Sequence, residues 1–286
     1  MFKRNPCKAE TIPRRARRPP SARRRRATDA AATPYGNAVT APRVLHVKAS
    51  IGRGNAWIGA DSKGNGVLDV TDRPVIGIIG AGKVGTALAR LFVASGHQVL
   101  IAGSPRQTAL DLLVGVVAPG AVVATPHELA AHADVIIVSV PFGKAASVPW
   151  HEFDGRIVVD AMNYWPPVDG NIAEVDNDPR STSELNAARN PRARVVKSFN
   201  HLGYHEMEDD SLAPGAPLRR ALAVVGDDDE ARAVIARLID AIGFDAVDGG
   251  PLANGRALEP GHPAFGRELS ATELIGLLAP AAHLAA

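Results

Sequence analysis

Six consecutive residues, Gly80-Ala81-Gly82-Lys83-Val84-Gly85, combine residue types and a spacing suited to holding a diphosphate. In such a run the first glycine permits a tight turn. The second lets the backbone approach a pyrophosphate, and the third lets a helix pack close to a strand. A negative group is then met by the unpaired N–H groups that open the helix and is favoured by the helix dipole. The chemistry implied is dinucleotide binding, with Gly80, Ala81, Gly82, Lys83, Val84 and Gly85 as the cradle.

The flanking residues supply the elements this cradle needs. Val75–Ile79 is a buried-strand run bounded by Pro74 and Gly80. A helical pattern follows at Val84, Leu88, Leu91 and Phe92 and stops at Gly96, after which Gln98–Ala102 reads as a second strand. Strand, glycine turn, helix and strand within about 30 residues are the opening of a Rossmann-type fold. The end of the second strand selects the dinucleotide. An acidic residue there would hold the ribose hydroxyls of NAD. The chain instead reads Ala102-Gly103-Ser104-Pro105-Arg106. With no carboxylate to repel a 2′-phosphate, a hydroxyl at Ser104 and a charge at Arg106 point to NADP(H).

Further strands are expected at Asp134–Val140, ending in Pro141-Phe142-Gly143, and at Arg156–Asp160, ending in Ala161-Met162-Asn163. Ligands of an open α/β sheet lie beyond the carboxyl ends of its strands. Pro141, Phe142 and Asn163 are therefore placed to line a nicotinamide, with core packing as the other reading of Phe142.

In the second half, Arg194–Phe199 reads as a strand leading into Asn200-His201-Leu202-Gly203-Tyr204, and Arg220–Val225 as another, closed by Gly226-Asp227-Asp228-Asp229-Glu230. The acids open a helix with apolar positions at Val234, Ile235, Leu238 and Ile242, so they read as caps rather than metal ligands. Phe244–Val247 is the next strand, ending in Asp248-Gly249-Gly250-Pro251-Leu252, and a last helix is expected from Ser270 to Leu278. His127, Glu128 and His132 resemble a zinc motif, but histidines five apart do not share a helix face, so a solvated helix is expected and no metal site. His201 and His205 are candidates for proton transfer, with an ordinary loop role as the plainer reading.

The chain of 286 residues is 46% hydrophobic, which is enough for a sizeable core. No run of 18 apolar residues occurs, so no membrane span is expected. A single cysteine, Cys7, excludes a disulfide framework, and the cytoplasm is the default compartment. The net charge of +2 hides a split: residues 1–73 carry 16 Lys/Arg against 5 Asp/Glu, and residues 74–286 carry 16 against 25. Residues 1–30 lack apolar periodicity and are broken by Pro13, Pro19 and Pro20. They read as a disordered basic extension or as upstream sequence read from an early start. A nucleic-acid or membrane-surface arm and a transit peptide are the sharper alternatives. A short strand is considered near Arg43–Val47.

Taken together, the motifs IIGAGKVGTALA (78–89), GSPR (103–106), VPF (140–142), VVKSFN (195–200), VVGDDDE (224–230) and GGPLANGR (249–256) resemble the F420-dependent NADP oxidoreductase family. The resemblance covers about two thirds of the chain, from 75 to 256. It implies an N-terminal NADP domain, a small C-terminal α/β domain, a homodimer, and direct hydride transfer between nicotinamide and the deazaflavin F420. Geometry and exclusion of water carry such a transfer, so no residue is assigned as catalytic. The resemblance places Ala81 to Val84 on the pyrophosphate, Ser104 on the 2′-phosphate, and Pro141 and Phe142 beside the nicotinamide. Asn200, Tyr204, Pro251 and Leu252 approach from the substrate side. Two departures stand out. Arg106 lies one residue later than the family's Ser-Arg pair, and Asn200 stands where archaeal members carry histidine. Similar Rossmann domains also serve flavin-dependent metalloreductases, so a flavin acceptor stands beside F420.

The expected architecture is therefore α/β, a Rossmann-type doubly wound parallel sheet with a small C-terminal α/β domain, preceded by a disordered basic tail. The divisions are 1–73 for tail and linker, 74–196 for the NADP-binding domain and 197–286 for the substrate side. A β-hydroxyacid dehydrogenase or imine reductase would need a long helical second domain. Only about 90 residues follow Val196, and they alternate strand and helix. A non-catalytic NADP sensor, or a nucleic-acid-associated protein using its arginine-rich arm, is the alternative from another class.

Overall fold

The computed structural model describes residues 73–104 and 109–278. The basic segment, Cys7, the strand considered near 43–47 and Arg106 lie outside the described residues.

Among the described residues eight strands form one sheet in the order β3-β2-β1-β4-β5-β6-β7-β8. They are β1 (Ile76–Ile79), β2 (Val99–Ala102), β3 (Val122–Val123), β4 (Val135–Val138), β5 (Ile157–Asp160), β6 (Arg194–Lys197), β7 (Ala221–Gly226) and β8 (Asp245–Asp248). The helices are α1 (Lys83–Ala94), α2 (Leu110–Val117), α3 (Pro126–His132), α4 (Pro166–Asp169), α5 (Ala173–Asp176), α6 (Thr182–Ala187), α7 (Glu206–Asp209), α8 (Asp229–Ala241) and α9 (Ala271–Leu278).

Continuous apolar strands are the mark of a parallel sheet covered on both faces. β1, β4 and β5 are buried throughout, as is β7. One face packs on α1 and α8 through Leu88, Phe92, Ile235 and Leu238. The other packs on α3 and α9 through Leu129, Leu274 and the buried Trp150 and Phe153. Gly77 inside β1 is explained by α3, since a Cβ there would overlap the side chain of Leu129.

From β1 to β6 every pair is parallel. β7 runs antiparallel to β6, and β8 is parallel to β7. β7 meets β6 only through Val196↔Gly226 and Lys197↔Val225, so its earlier residues stand past the carboxyl end of β6. The linker 198–220 contains only the one-turn helix α7, which is too short to carry the chain back across the sheet. The chain therefore returns along the same edge, and the β7–β8 pair rises beside the carboxyl ends of the other strands.

The strands are shorter than the apolar runs suggest. β6 stops at Lys197 rather than Phe199 because Phe199 turns to φ +60°. Its ring is buried and meets Phe92 edge to face at 6.2 Å. The acids of 227–230 act as the caps expected. Asp228 is the N-cap of α8, accepts from the Ala231 N–H at 2.8 Å and pairs with Arg194 at 2.6 Å. Arg194 holds the Asp228 carboxyl down at about 2. The His127-Glu128 segment forms α3 as a capped helix, with Thr125 and Glu128 making a reciprocal capping box and His127 meeting Glu152 at 2.9 Å. Among the described residues no cluster of His, Cys, Asp and Glu is suited to a metal, and no helix is long and apolar enough to cross a membrane.

Candidate functional site

The strand order reverses between β1 and β4, and the glycine turn sits at that switch point, where open α/β sheets bind ligands. Gly80 leaves β1 with φ +118°, a conformation that disfavours any side chain. A Cβ at Gly85 would overlap the carbonyl oxygen of Gly80, so the turn and α1 touch backbone to backbone. Gly82, the N-cap of α1, behaves differently. It has no capping side chain, and a Cβ there would meet nothing within 4 Å. This open, uncapped first turn over Ala81, Lys83 and Val84 has the shape and the donors a pyrophosphate requires, so the residues present fit a dinucleotide.

Two hydroxyls brace the turn and carry no motif signal. Ser139, just past β4, points its hydroxyl at the carbonyl oxygens of Ile79 and Gly80 at 3.3 and 3.2 Å. Thr86 donates to the Gly82 carbonyl at 2.8 Å. Ser104 is exposed two residues beyond β2, with no carboxylate between it and the strand end.

Lys83 reaches across to the second half. Its Nζ donates to the Tyr204 hydroxyl at 2.9 Å and lies 4.9 Å from the ring centre. The Tyr204 and His205 ring centres lie 3.8 Å apart, with the rings tilted by 40°. Tyr204, expected on the substrate side, thus meets the first residue of α1. Seven residues along α1 from Lys83, Arg90 makes a two-pronged bond to Glu208.

The loops beyond β4 and β5 are tied together. Phe142 is 4% exposed and packs on Tyr164 with ring centres 5.7 Å apart, so its ring serves the core. Pro141 beside it is exposed. The Asp169 carboxylate accepts from the Gly143 and Trp165 N–H groups, each at 2.8 Å.

Asn163 and Asn200 are brought into direct contact. The Asn163 amide donates to the Asn200 carbonyl at 2.7 Å, and the Asn200 amide donates to Asn163 Oδ1 at 2.9 Å and to the Leu258 carbonyl at 2.7 Å. Asn163 is half-buried and Asn200 buried. Leu252 is buried, with its N–H on Asp227 at 2.9 Å, and Pro251 is exposed at the start of the 3-10 turn Leu252–Leu258. That turn reaches Asn200 through the Leu258 carbonyl.

His201 lies in the linker after β6, as the plainer reading had it, but it is buried. It is 2% exposed, and its Nε2 accepts the Ala223 N–H at 3.2 Å. Burial, reinforced by Arg220 and Lys197, pushes its pKa down to about 3. The ring stays neutral and braces β7, which removes it as a proton carrier. The ordinary value of 6.5 applies to the unfolded chain. Between about 6.5 and about 3 the unfolded state therefore binds a proton that the folded state refuses. Stability is complete above this window and falls as pH drops through it, by roughly 1 kcal/mol per pH unit. His201→Gln keeps an acceptor and cannot titrate. Melting temperatures followed against pH should fall less steeply below 6.5 in this variant than in the wild type.

Four residues near this region were not assigned from the sequence. Asp160, Lys197, Thr182 and Glu259 are all buried and polar. A lysine inside the apolar run VVKSF was a usable signal, because lysines are almost never buried without a partner.

Residues 75–164 match the family described as NADP oxidoreductase, coenzyme F420-dependent. Metalloreductase STEAP3 of Rattus norvegicus is 28% identical over 203 residues, which are 70% of this chain and 38% of that protein. The chain thus spans well under half the length of this relative. Among solved structures, the hypothetical protein SMa0349 from Sinorhizobium meliloti superposes with a TM-score of 0.60 at 30% identity, covering 68% of this chain and 95% of that one. A candidate F420-dependent NADP reductase from Arthrobacter sp. FB24 superposes with a TM-score of 0.55 at 22% identity, covering 69% and 99%, a likeness of fold.

Proposed function

We propose, because the chain belongs to the family of coenzyme F420-dependent NADP oxidoreductases, that it passes a hydride between NADP(H) and a deazaflavin or flavin acceptor. The family makes it an NADP-dependent oxidoreductase; the acceptor is our reading. The observation that carries the reading is the open, uncapped first turn of α1 at the switch point of the sheet.

In this reading residues 74–196 hold the nucleotide and residues 197–278 form the acceptor side. The N–H groups that open α1 bind the pyrophosphate, and Lys83 exchanges its Tyr204 partner for a phosphate oxygen. Ser104 donates to the 2′-phosphate. The loops beyond β4 and β5, clamped by Phe142, Tyr164 and Asp169, wall off water from the nicotinamide side. The nicotinamide supplies the hydride, so the protein has to align two rings and exclude solvent rather than move protons.

The test follows NADPH oxidation by the full chain with F420, FMN and FAD as separate acceptors, each repeated with NADH. Turnover with F420 or a flavin and a preference for NADPH is expected. NADPH binding without turnover on any of these acceptors sinks the acceptor assignment. Ser104→Asp tests the nucleotide choice. A carboxylate at that position should repel the 2′-phosphate and weaken NADPH roughly 10-fold or more relative to NADH, read as the ratio of the two dissociation constants.

A further inference from the structure

Lys197 and Asp160 are each 0% exposed, and no step of the proposed hydride transfer uses either. They are the last residues of β6 and β5 and stand opposite each other in the parallel register. Lys197 Nζ lies 4.0 Å from Asp160 Oδ2. Around this pair the partners converge on one short stretch of backbone. Asp160 Oδ1 accepts the Met162 N–H at 2.9 Å, and Lys197 Nζ donates to the Met162 carbonyl at 3.1 Å. Both polar backbone atoms of Met162 are therefore held by the two members of one buried ion pair.

The pair is itself braced. Asp160 Oδ2 accepts from Ser183 Oγ at 2.7 Å and from the Asn186 amide at 3.0 Å. Thr182 Oγ1 stands 3.5 Å from Lys197 Nζ and donates to Glu259 at 2.7 Å.

Stability alone is a poor account of such an arrangement. A buried ion pair is commonly no more stabilising than well-packed apolar residues, because desolvation offsets the attraction. What it supplies is fixed geometry, and the next residue is Asn163. Counting hydrogen bonds shows why that matters. Asn200 has both amide hydrogens engaged, by Asn163 Oδ1 and by the Leu258 carbonyl. In the Asn163–Asn200 pair, Asn163 gives one amide hydrogen and accepts one bond. This leaves it one hydrogen to donate and one lone pair to accept, the two kinds of bond that a carboxamide can make in return.

We infer that the buried Lys197–Asp160 pair is a positioning device: by clamping both sides of Met162 it aims the Asn163 amide at the carboxamide of the nicotinamide, and so sets the ring's orientation without touching it. The inference rests on the proposed nucleotide site and names the residues that orient its reactive end. Lys197 and Asp160 are positioning residues, and Asn163 is the contact.

The test compares four full-length chains: wild type, Asn163→Ala, the paired variant Asp160→Asn/Lys197→Met that removes both charges together, and the combination of all three changes. NADPH is titrated into each. The fluorescence of the bound nicotinamide reports how firmly the ring is held, and the dissociation constant reports the phosphate end. The expected result is a dissociation constant within about twofold of wild type, because the phosphates dominate affinity. The fluorescence gain of the bound ring is expected to be lost in both Asn163→Ala and the paired variant. In whichever acceptor assay turns over, kcat should fall roughly 100-fold while the KM for NADPH stays near wild type. The triple variant should be no worse than Asn163→Ala, since residues acting through one another are not additive. Ser183→Ala removes one bond to Asp160 and keeps both charges. It should show a smaller loss in the same direction, which keeps the test open should the paired variant fail to fold. Wild-type behaviour in the paired and Ser183 variants, or losses that add in the triple variant, overturns the inference while leaving the nucleotide site intact. A wild-type chain that binds no NADPH overturns the nucleotide reading and this inference with it.

Discussion

Gly82→Ala and Gly85→Ala, three residues apart in one motif, should fail in opposite ways. The Gly85 variant should lose stability, by about 3 kcal/mol as an order of magnitude. Its new Cβ would overlap the Gly80 carbonyl oxygen and lie 2.8 Å from Ser139 Oγ. Backbone cannot rotate out of the way as a side chain can, so α1 must lift from β1. Gly82 is already extended, at φ −87°, and a Cβ there enters open space. That variant should keep its melting temperature to within a few degrees, since only a cap preference is lost. Its cost falls on the ligand, because the methyl occupies the approach of the pyrophosphate. Losing one charge-assisted hydrogen bond of that kind weakens NADPH by roughly 10- to 100-fold. Urea unfolding paired with NADPH titration separates the two outcomes. A Gly82→Ala chain that binds NADPH as the wild type does would show that nothing approaches α1 there.

Lys197→Met alone should be among the most damaging single changes in the chain. Lys197 and Asp160 are both fully buried, and removing the ammonium leaves a carboxylate sealed from water without its counter-charge. Breaking a buried pair from one side costs about 3–5 kcal/mol, a large share of the stability of an ordinary domain. Adding Asp160→Asn to the same chain should recover most of that loss. The amide oxygen can still accept the Met162 N–H, and no charge remains to be neutralised. Urea midpoints of the single and paired variants provide the measurement. A single variant as stable as the paired one would mean that water or a side-chain movement already compensates Asp160.

The parallel framework was legible because each of its strands is a short apolar run closed by glycine, proline or a polar residue, and the pattern needs no tertiary information. The glycine cradle was legible for the same reason, since its spacing is local. The antiparallel return of β7 was not, because it depends on what the linker 198–220 lacks rather than on anything within β7 itself. β3 is two residues long and has no period to read. Of the short helices between Pro166 and Ala187, α4 and α5 bury no residue and so show no apolar stripe, and α6 is marked by its Ser181–Glu184 capping box. The polar groups at the carboxyl edge show the sharper limit. Asn163 and Asn200 were each visible as strand-end residues, but their mutual bonds join positions 37 residues apart. Ser139 acts on backbone groups about 60 residues away, and Asp169 joins its own loop at Trp165 to Gly143, 26 residues away, so nothing in either neighbourhood marks the partner. His201 was read as a loop residue and is one; its burial comes from β7, whose Ala223 N–H it accepts from 22 residues away, and nothing local shows that.

The reciprocal amide pair between Asn163 and Asn200 also bears on how a ligand arrives. One residue follows β5 and the other follows β6, so widening the gap between these two strand ends would break two hydrogen bonds in a single movement. The ordering of this edge is completed during folding and is not left to the binding event. A nucleotide should therefore enter a preformed groove in one kinetic phase, with a rate that rises linearly with its concentration.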